Sequence, residues 1–356
     1  MPRRNRTRAE RPGRSGPGAQ LVGELGEFGL IARLLARVPA GGGLLVGAGD
    51  DAAVLALTPG AALVATCDGQ VENIHFRREG TPPRALGHRA LAVNLSDVAA
   101  MGGRPRWALV ALTLPSDLEV AWLDQLYDGM AALAGQHGVG VVGGNVARTA
   151  GPIVLDVTLL GEASGEARLT RAGARPGDAV FVTGAPGESA AGLRLILEPR
   201  LAGALSPEDA EQLLGRHRMP APRVAEGQAL ARGVATAAID VSDGLAADLG
   251  HVLAASGVGA TLDEAALPVS APLRRLAEAA GLDPIELLLH GGEDYELLFT
   301  CDRRQAERVG GELGVSATRI GAIEREPGLR LRGRDGVVRS LAARGHDHFA
   351  PRGGAR

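Results

Sequence analysis

Short apolar runs alternate along this chain with stretches of helical periodicity, and glycine or aspartate follows most of these runs. A run of about four to eight apolar residues that ends in this way is typical of a buried strand. Strands that alternate with helices indicate an α/β or α+β protein. The sequence therefore predicts sheets covered by helices, with polar residues gathered where the strands end.

The first half of the chain shows this alternation clearly. In the stretch GELGEFGLIARLLARV, Phe28, Ile31, Leu34 and Leu35 have the spacing of one helix face. Further helices are predicted over 84–101 and 117–137, and strands over 61–67, 107–114, 139–142 and 153–160.

A second unit of the same kind begins near Arg171, and a chain of 356 residues is long enough for two domains. We expect a disordered tail over 1–22, an N-terminal domain over 23–165 and a C-terminal domain over 166–350. The predicted strands of the second unit lie over 178–183, 237–239 and 297–300 and near 320 and 329, and its helices over 189–197, over 224–234 and up to 255.

The net charge and the types of basic residue exclude several classes of function. The net charge is −3, and all 38 basic residues are Arg because the sequence contains no Lys. A nucleic-acid-binding protein normally has a clear basic excess, so no nucleic acid partner is expected. Enzymes that depend on a phosphate-loop, Schiff-base or protein-kinase Lys are excluded.

Cysteine content and hydropathy point to the cytoplasm. Cys67 and Cys301 are too few for a disulfide framework or a Cys-based zinc site. No apolar run is long enough to cross a bilayer, so no membrane contact is expected. The first 20 residues lack the apolar core of a secretory signal and have the Arg-, Gly- and Pro-rich composition of a disordered tail.

Six glycine- and acid-rich segments carry the candidate chemistry. Taken singly, most of them are also compatible with ordinary turns or helix caps that hold a solvated carboxylate. The segments cover 47–52 (GAGDDA), 66–69 (TCDG), 92–102 (AVNLSDVAAMG), 143–148 (GGNVAR), 240–245 (DVSDGL) and 291–297 (GGEDYEL).

Three of these segments favour function over a solvated turn. Asn94 and Asp97 share one face of an apolar helix, where a carboxylate is costly unless it is paired or bound to metal. The segment 240–245 contains three residues that can cap a helix, Asp240, Ser242 and Asp243, although capping needs only one. A helix N-terminus that follows a glycine turn is also a candidate phosphate site. In 291–297, three carboxylates lie beside Tyr295 and Leu297, which suggests an anchored loop.

The other segments add single ligands. Asp68 is expected at the end of a buried strand, and the glycine turn of 143–148 could present N–H groups to phosphate. Carboxylates that converge on one site repel each other unless cations neutralise them, and Mg²⁺ with nucleotide phosphates is the usual instance. Phosphoryl transfer needs mainly positioning and charge neutralisation, which metal ions can supply without Lys.

Together the segments resemble thiamine-monophosphate kinase, of the superfamily that includes aminoimidazole ribonucleotide synthetase. The resemblance extends from about Gly23 to Phe349. It rests on GEFGLIARL, GAGDDAAVL, HRALAVNLSDVAAMG, LTRAGARPGD, GAPGESAAGL, IDVSDGLAADLGH, HGGEDYELLF and GHDHF, in family order.

The resemblance implies a two-domain synthetase-like fold whose N-terminal α/β domain forms a homodimer, followed by a C-terminal α/β domain. It implies transfer of the ATP γ-phosphoryl group to thiamine monophosphate with Mg²⁺, giving thiamine diphosphate. Asp97, Asp240 and Asp243 would be catalytic. The implied metal ligands are Asp51, Thr66, Cys67, Asp68, Asp97, Asn145, Asp240 and Asp243, the nucleotide contacts Gly144, Asn145, Arg171 and Ser242, and the substrate contacts His75, Glu293 and Phe349.

The sequence departs from the family pattern at two metal-binding positions. Asn145 stands where the family has a metal-binding Asp, and an amide ligates without charge. Cys67-Asp68-Gly69 replaces Thr-Asp-Thr, which removes two hydroxyls, whereas the difference around His75 is milder. Two alternatives therefore stay open: a related ATP-dependent enzyme with another substrate, and a non-catalytic binder of nucleotide and thiamine phosphate.

Overall fold

The structure is a computed structural model that describes residues 19–165, 167–306, 309 and 313–345. Two larger sheets, one of four strands and one of seven, each form the centre of one half of this described chain. Both sheets mix parallel and antiparallel pairs, so the predicted α/β or α+β class is confirmed. The predicted boundaries at 22, 165 and 350 remain predictions.

The N-terminal half is built on the four-stranded sheet, in the strand order β3-β6-β4-β5. A small antiparallel pair, β1-β2, precedes this sheet along the chain. The helices are α1 (Val22–Leu35), α2 (Pro83–Ala100) and α3 (Val120–His137), and the strands are β1 (Leu44–Val46), β2 (Val54–Leu55), β3 (Ala61–Val71), β4 (Arg104–Pro115), β5 (Gly140–Thr149) and β6 (Val154–Ser164).

Helices α2 and α3 cover one face of this sheet and pack closely on each other. Their crossing depends on Gly87 and Gly129, since a Cβ at Gly87 would lie 1.8 Å from the Leu126 carbonyl oxygen. A Cβ at Gly129 would lie 1.9 Å from the Arg84 carbonyl oxygen. The opposite face of the sheet carries no helix of this kind, and Leu63 on it is 52% exposed.

Two predicted strand ends in this domain are wrong. β3 does not stop before Asp68 but continues to Val71, because it pairs with β6 along its whole length. β5 does not stop at Gly143-Gly144 but continues to Thr149, paired in parallel with β4. The pairing shifts register just before Gly143, and a Cβ at Gly144 would lie 1.8 Å from the Val110 carbonyl oxygen. The two glycines therefore permit an irregular strand instead of ending it.

The first helix also differs from the prediction at one position. The backbone leaves the helical region at Gly26 (φ 70°, ψ 168°), which interrupts the helix near its start. Leu30 and Leu34, four residues apart, then face the core. Phe28, which the spacing placed on the buried face, is 84% exposed.

The C-terminal half is built on the seven-stranded sheet, in the order β13-β12-β9-β11-β7-β10-β8. Most predicted elements are present, whereas β9, β13 and the last two helices were not predicted. The strands are β7 (Ala179–Thr183), β8 (Ala237–Asp240), β9 (Gly259–Asp263), β10 (Leu297–Cys301), β11 (Ala317–Glu324), β12 (Gly328–Arg332) and β13 (Val338–Ser340). The helices are α4 (Glu188–Leu197), α5 (Pro207–Arg218), α6 (Val224–Leu230), α7 (Leu245–Ser256), α8 (Ala271–Ala280) and α9 (Pro284–His290), with 3₁₀ helices at Pro199–Ala204 and Glu264–Ala266.

Helix α2 joins the two halves. It contacts β3 and β6 of its own domain and α5, α6 and β8 of the other. A Cβ at Gly227 of α6 would lie 2.0 Å from the Ala99 carbonyl oxygen, so the backbones of α2 and α6 touch. One hydrophobic core extends across this contact and includes Leu91, Leu230 and Phe299. Residues on α2 can therefore serve a site between the domains.

Candidate active site

Four of the predicted aspartates gather around α2. Asp68 lies on the helix-covered face of β3, Asp97 on α2, Asp240 at the end of β8 and Asp243 in the turn that follows it. The charges of Asp97 and Asp243 both act on Asp68, and the charge of Asp97 also acts on Asp240. We call these four residues the acidic cluster.

Polar side chains hold the acidic cluster in place. The Thr66 hydroxyl donates to the Asp97 carboxylate, and the Ser96 hydroxyl donates to Asp240 Oδ2 at 2.7 Å. Asn94, which was predicted to share the functional face of α2, accepts from the Asp68 backbone N–H at 3.1 Å. Asn94 therefore fastens β3 to α2, and its side chain is fully buried.

Burial and mutual repulsion change the acidity of the cluster. Burial, with the nearby charges of Asp97 and Asp243, raises the pKa of Asp68 to about 6. Burial, with the charge of Asp97, raises the pKa of Asp240 to about 7. Burial also raises the pKa of Asp97, although the Thr66 hydrogen bond and the charge of Arg171 oppose this shift. Among the described residues, no ion pair joins the cluster to Arg or His. Near neutral pH its carboxylates therefore either hold protons or bind an external cation.

The turn after β8 is fixed by a residue that the sequence reasoning did not identify. Asp248, buried on α7, accepts hydrogen bonds at Oδ2 from the backbone N–H groups of Ser242, Asp243 and Gly244, at 3.0, 3.1 and 3.1 Å. Asp248 thereby occupies three N–H groups of the turn that precedes α7. The predicted phosphate site at the N-terminus of this helix stays a prediction. An aspartate four residues into a helix that follows a glycine turn is the signal that could have revealed the contact of Asp248.

The three carboxylates of segment 291–297 have different partners. Asp294 accepts from the N–H groups of Gly187 and Ser189, which open α4. Glu296 is buried and receives two hydrogen bonds from Arg223, at 2.6 and 2.5 Å. Glu293 has a partly open side chain, 31% exposed, whereas both oxygens of Asp294 are taken by backbone N–H groups. Of the three carboxylates, Glu293 therefore remains the candidate for a functional role.

Glu293 lies next to the acidic cluster along the backbone. Its N–H donates to the Ser242 carbonyl oxygen at 2.7 Å, and the Tyr295 N–H donates to the Val241 carbonyl oxygen at 2.8 Å. The segment 291–297 is thus joined to the turn that carries Asp243. Glu293 also forms an ion pair with Arg89 of α2.

Two of the predicted metal ligands do not face this cluster. Cys67 lies on the opposite face of β3 from Asp68, where its sulfur accepts from the Thr158 hydroxyl at 3.4 Å. Asn145 lies on β5, at the other edge of the sheet from β3. Three strand spacings separate these edges, about 14 Å. Within one chain, therefore, the Cys67 thiol and Asn145 do not share a metal ion with Asp68.

The remaining predicted residues have separate positions. Arg171 is exposed and close enough to lower the pKa of Asp97. His75 lies in the turn after β3, where its Nδ1 accepts from the Val71 N–H at 3.0 Å. Asp51 lies in an exposed turn between β1 and β2, and no hydrogen bond among the described residues links it to the cluster. Phe349 lies outside the described residues.

The donor set of the acidic cluster suits a hard divalent cation that binds together with phosphate. Among the described residues, no three His, Cys, Asp or Glu side chains lie close enough together to hold a metal ion alone. Mg²⁺ in nucleotide sites takes only one or two carboxylates and completes its shell with phosphate oxygens and water. Pairs such as Asp68 with Asp97 therefore fit Mg²⁺ that arrives with a nucleotide.

Comparisons with known proteins identify the family of the chain. The families described as AIR synthase related protein, N-terminal domain and C-terminal domain, match residues 49–163 and 175–334. A thiamine-monophosphate kinase of Escherichia coli (strain K12) is 43% identical over 329 residues, which cover 91% of this chain and 98% of that protein.

Solved structures give the same result. The thiamine-monophosphate kinase of Stenotrophomonas maltophilia K279a has 40% identity and a TM-score of 0.76, over 86% of this chain and 96% of that one. A structure described as AaThiL complexed with AMPPCP and TMP has 36% identity and a TM-score of 0.74, over 92% and 98%. The described residues contain no helix that is long and apolar enough to cross a membrane. The chain belongs to the thiamine-monophosphate kinase family of AIR synthase related proteins.

Proposed function

We propose that this protein transfers the γ-phosphoryl group of ATP to thiamine monophosphate, giving thiamine diphosphate and ADP. A phosphate oxygen of thiamine monophosphate forms a bond to the γ-phosphorus, and the bond from that phosphorus to the β–γ bridging oxygen breaks. The observation that carries the proposal is the acidic cluster, whose carboxylates form no ion pair among the described residues, although the charge of Arg171 acts on Asp97. Family membership then indicates which phosphates meet there.

Mg²⁺ is the cation that we propose for the cluster, with Asp68, Asp97, Asp240 and Asp243 as the candidate ligands, one or two to each ion. When bound, it would neutralise phosphate charge and orient the phosphates for transfer. The chain's own residues orient these ligands: Thr66 holds Asp97 and Ser96 holds Asp240. Both hydroxyls donate, so they favour the ionised carboxylates that bind a cation.

Arg171 is the proposed phosphate contact of the chain. It lies near Asp97, is permanently charged, and its guanidinium can donate two hydrogen bonds to one phosphate. Because the sequence contains no Lys, Arg and bound cations are the carriers of positive charge at this site. Gly144, Asn145 and Ser242 are proposed as further nucleotide contacts, and His75, Glu293 and Phe349 as substrate contacts.

A homodimer and a cytoplasmic location are part of the same proposal. The helix-free face of the N-terminal sheet carries partly exposed apolar side chains, among them Leu63, Leu109 and Leu160. A second copy packed on this face would bury them. Asn145 and Asp68 lie at opposite edges of this sheet. In a dimer, Asn145 would contribute to a site on the second copy. The cytoplasm supplies ATP for the reaction.

The product assay tests the proposal directly. Purified protein is incubated with ATP, thiamine monophosphate and a series of Mg²⁺ concentrations, and thiamine diphosphate and ADP are separated by chromatography. Equal amounts of both products are expected, and neither should form without thiamine monophosphate. If no thiamine diphosphate forms at any Mg²⁺ concentration, the proposal is wrong. ADP formation with another phosphate acceptor would favour the related-enzyme alternative.

A further inference from the structure

A buried arginine links the N-terminal domain to the proposed substrate side of the site. Arg89 lies on α2, and its side chain is only 2% exposed. A guanidinium so deeply buried is rare unless an anion pairs with it. Its partners belong to α5 and to segment 291–297 of the other domain.

The contacts of Arg89 are directional. Its Nη2 donates to Glu293 Oε1, and its Nη1 donates to the His217 carbonyl oxygen at 2.8 Å. The same Nη1 faces His217 Nε2 at 3.3 Å. The His217 ring therefore uses Nε2 as an acceptor and carries its proton on Nδ1, which lies 3.1 Å from the Ser189 hydroxyl.

Glu293 is the one ion-pair partner of Arg89 among the described residues. Burial, with the charges of Arg89 and Arg218, lowers the pKa of His217 to about 3, so this ring stays neutral near pH 7. The positive charge of Arg89 is therefore balanced by Glu293 alone. Such a pair adds little net stability, because the cost of removing both charges from water offsets their attraction.

The two oxygens of Glu293 have different surroundings. Oε1 is held by Arg89, whereas Oε2 lies 3.6 Å from His217 Nδ1 on a side chain that is 31% exposed. The backbone of Glu293 has φ +65°, a left-handed conformation that strains a residue with a side chain. The ion pair and the Ser242 hydrogen bond hold the residue in this conformation.

We propose that Arg89 is a positioning residue that fixes the Glu293 carboxylate in the orientation that receives the organic cation of the substrate. The inference rests on the proposed function, in which Glu293 contacts thiamine monophosphate and its thiazolium ring. Arg89 holds one oxygen of the partly exposed Glu293 side chain, and the other oxygen, 3.6 Å from His217 Nδ1, is the one assigned to the substrate. The N-terminal domain thereby takes part in substrate recognition although Arg89 itself does not reach the substrate.

Kinetics of matched variants test this inference. R89K keeps the charge but loses the forked geometry, and R223K makes the same change in the buried Arg223–Glu296 pair, which lies outside the proposed contacts. For R89K the KM for thiamine monophosphate should rise about tenfold while the KM for ATP stays within about twofold. For R223K both KM values should stay within about twofold, even if Tm falls.

A double-mutant cycle separates positioning from general destabilisation. If Arg89 acts through Glu293, R89K in an E293Q background should add little to the rise in KM that E293Q causes alone. The inference is overturned if R89K leaves both KM values unchanged, raises both equally, or adds its full effect to E293Q. An active wild-type protein with any of these results counts against this inference alone. An inactive wild-type protein refutes the proposed function, and the inference fails with it.

Discussion

Two acid-rich regions of this protein look alike in sequence and differ in structure. In segment 291–297, Asp294 and Glu296 each have hydrogen-bond donors or a cation from the chain itself. In the acidic cluster, Asp97 and Asp240 each have one hydroxyl donor, and no described Arg forms an ion pair with them. In the first region Arg223 neutralises Glu296 and Arg89 neutralises Glu293, while burial raises the pKa of Asp294 well above its usual range. In the second region no carboxylate forms an ion pair with a described residue.

The difference shows how a structural carboxylate can be told from a functional one. A buried carboxylate that the chain neutralises contributes to packing, and its removal leaves an unmatched partner. A buried carboxylate without a partner in the chain destabilises the folded state. A ligand that binds to this carboxylate in the folded state offsets the destabilisation. Variants in the two regions should therefore have opposite effects on stability and activity.

The largest expected effect is on turnover in the acidic cluster. Asp97→Asn removes a charge but keeps an acceptor for Thr66, so kcat should fall about 100-fold or more, a loss of about 3 kcal/mol. Tm should stay equal or rise, because a repelling charge is removed. The product assay and thermal unfolding measure both. Asp335→Asn, at an exposed ion pair, is the control and should change neither. Full activity of the Asp97 variant would show that the cluster is not the metal site.

The second effect is on stability in segment 291–297. Glu296→Gln leaves the Arg223 guanidinium without its carboxylate in a buried position, so the free energy of unfolding should fall by about 3 kcal/mol. Below its Tm the variant should keep kcat within about threefold. Urea unfolding and the product assay check this pair of outcomes. A stable variant without activity would place Glu296 in the site and remove the distinction between the two regions.

The third effect is the pH dependence of the cation-free protein. Asp68 and Asp240 have pKa values raised to about 6 and about 7, so the folded state holds more protons than the unfolded state above about pH 4. Stability is then lost as pH rises through the folded pKa values. Tm should fall by roughly 5 °C between about pH 5 and about pH 8. Asp240→Asn should flatten this profile, whereas a Tm that rises over the same range would contradict the assignment.

The smallest effect concerns the edge of the sheet away from the cluster. Asn145→Asp restores the family's carboxylate, so the Mg²⁺ concentration for half-maximal activity should fall about threefold. Because Asn145 and Asp68 lie about 14 Å apart within one chain, the change should be nearly additive with substitutions at Asp68. Mg²⁺ titration of single and double variants measures this. Strong non-additivity would indicate that both residues serve one metal ion.

The sequence was most informative where a local rule decides the outcome. Periodicity located α2, α3, β7 and most other elements because burial on one face imposes a repeat. It failed at Gly143-Gly144, which marks a close approach to Val110 rather than a turn. It also failed at Phe28, because the buried face of α1 is set by Leu30 and Leu34, and Phe28 lies about 200° around the helix from Leu30.

The site was predictable in composition but not in arrangement. The motifs named Asp68, Asp97, Asp240 and Asp243, since carboxylates in apolar surroundings are conspicuous in a sequence. The chain order gives only a local signal, an aspartate four residues into a helix, for the contact of Asp248 with the N–H groups beside Asp243. Nothing in the chain order shows that Arg89 pairs with a residue more than two hundred positions away.

The sequence by itself determined the class of fold, the family and the absence of Lys at the site, because these depend on residue identity and local spacing. Tertiary structure alone decided which carboxylates are neutralised by the chain and which are left for a cation. That decision depends on distances between side chains of different elements, and on the low polarity that surrounds them once α2 is packed between the domains. Local sequence cannot encode either quantity.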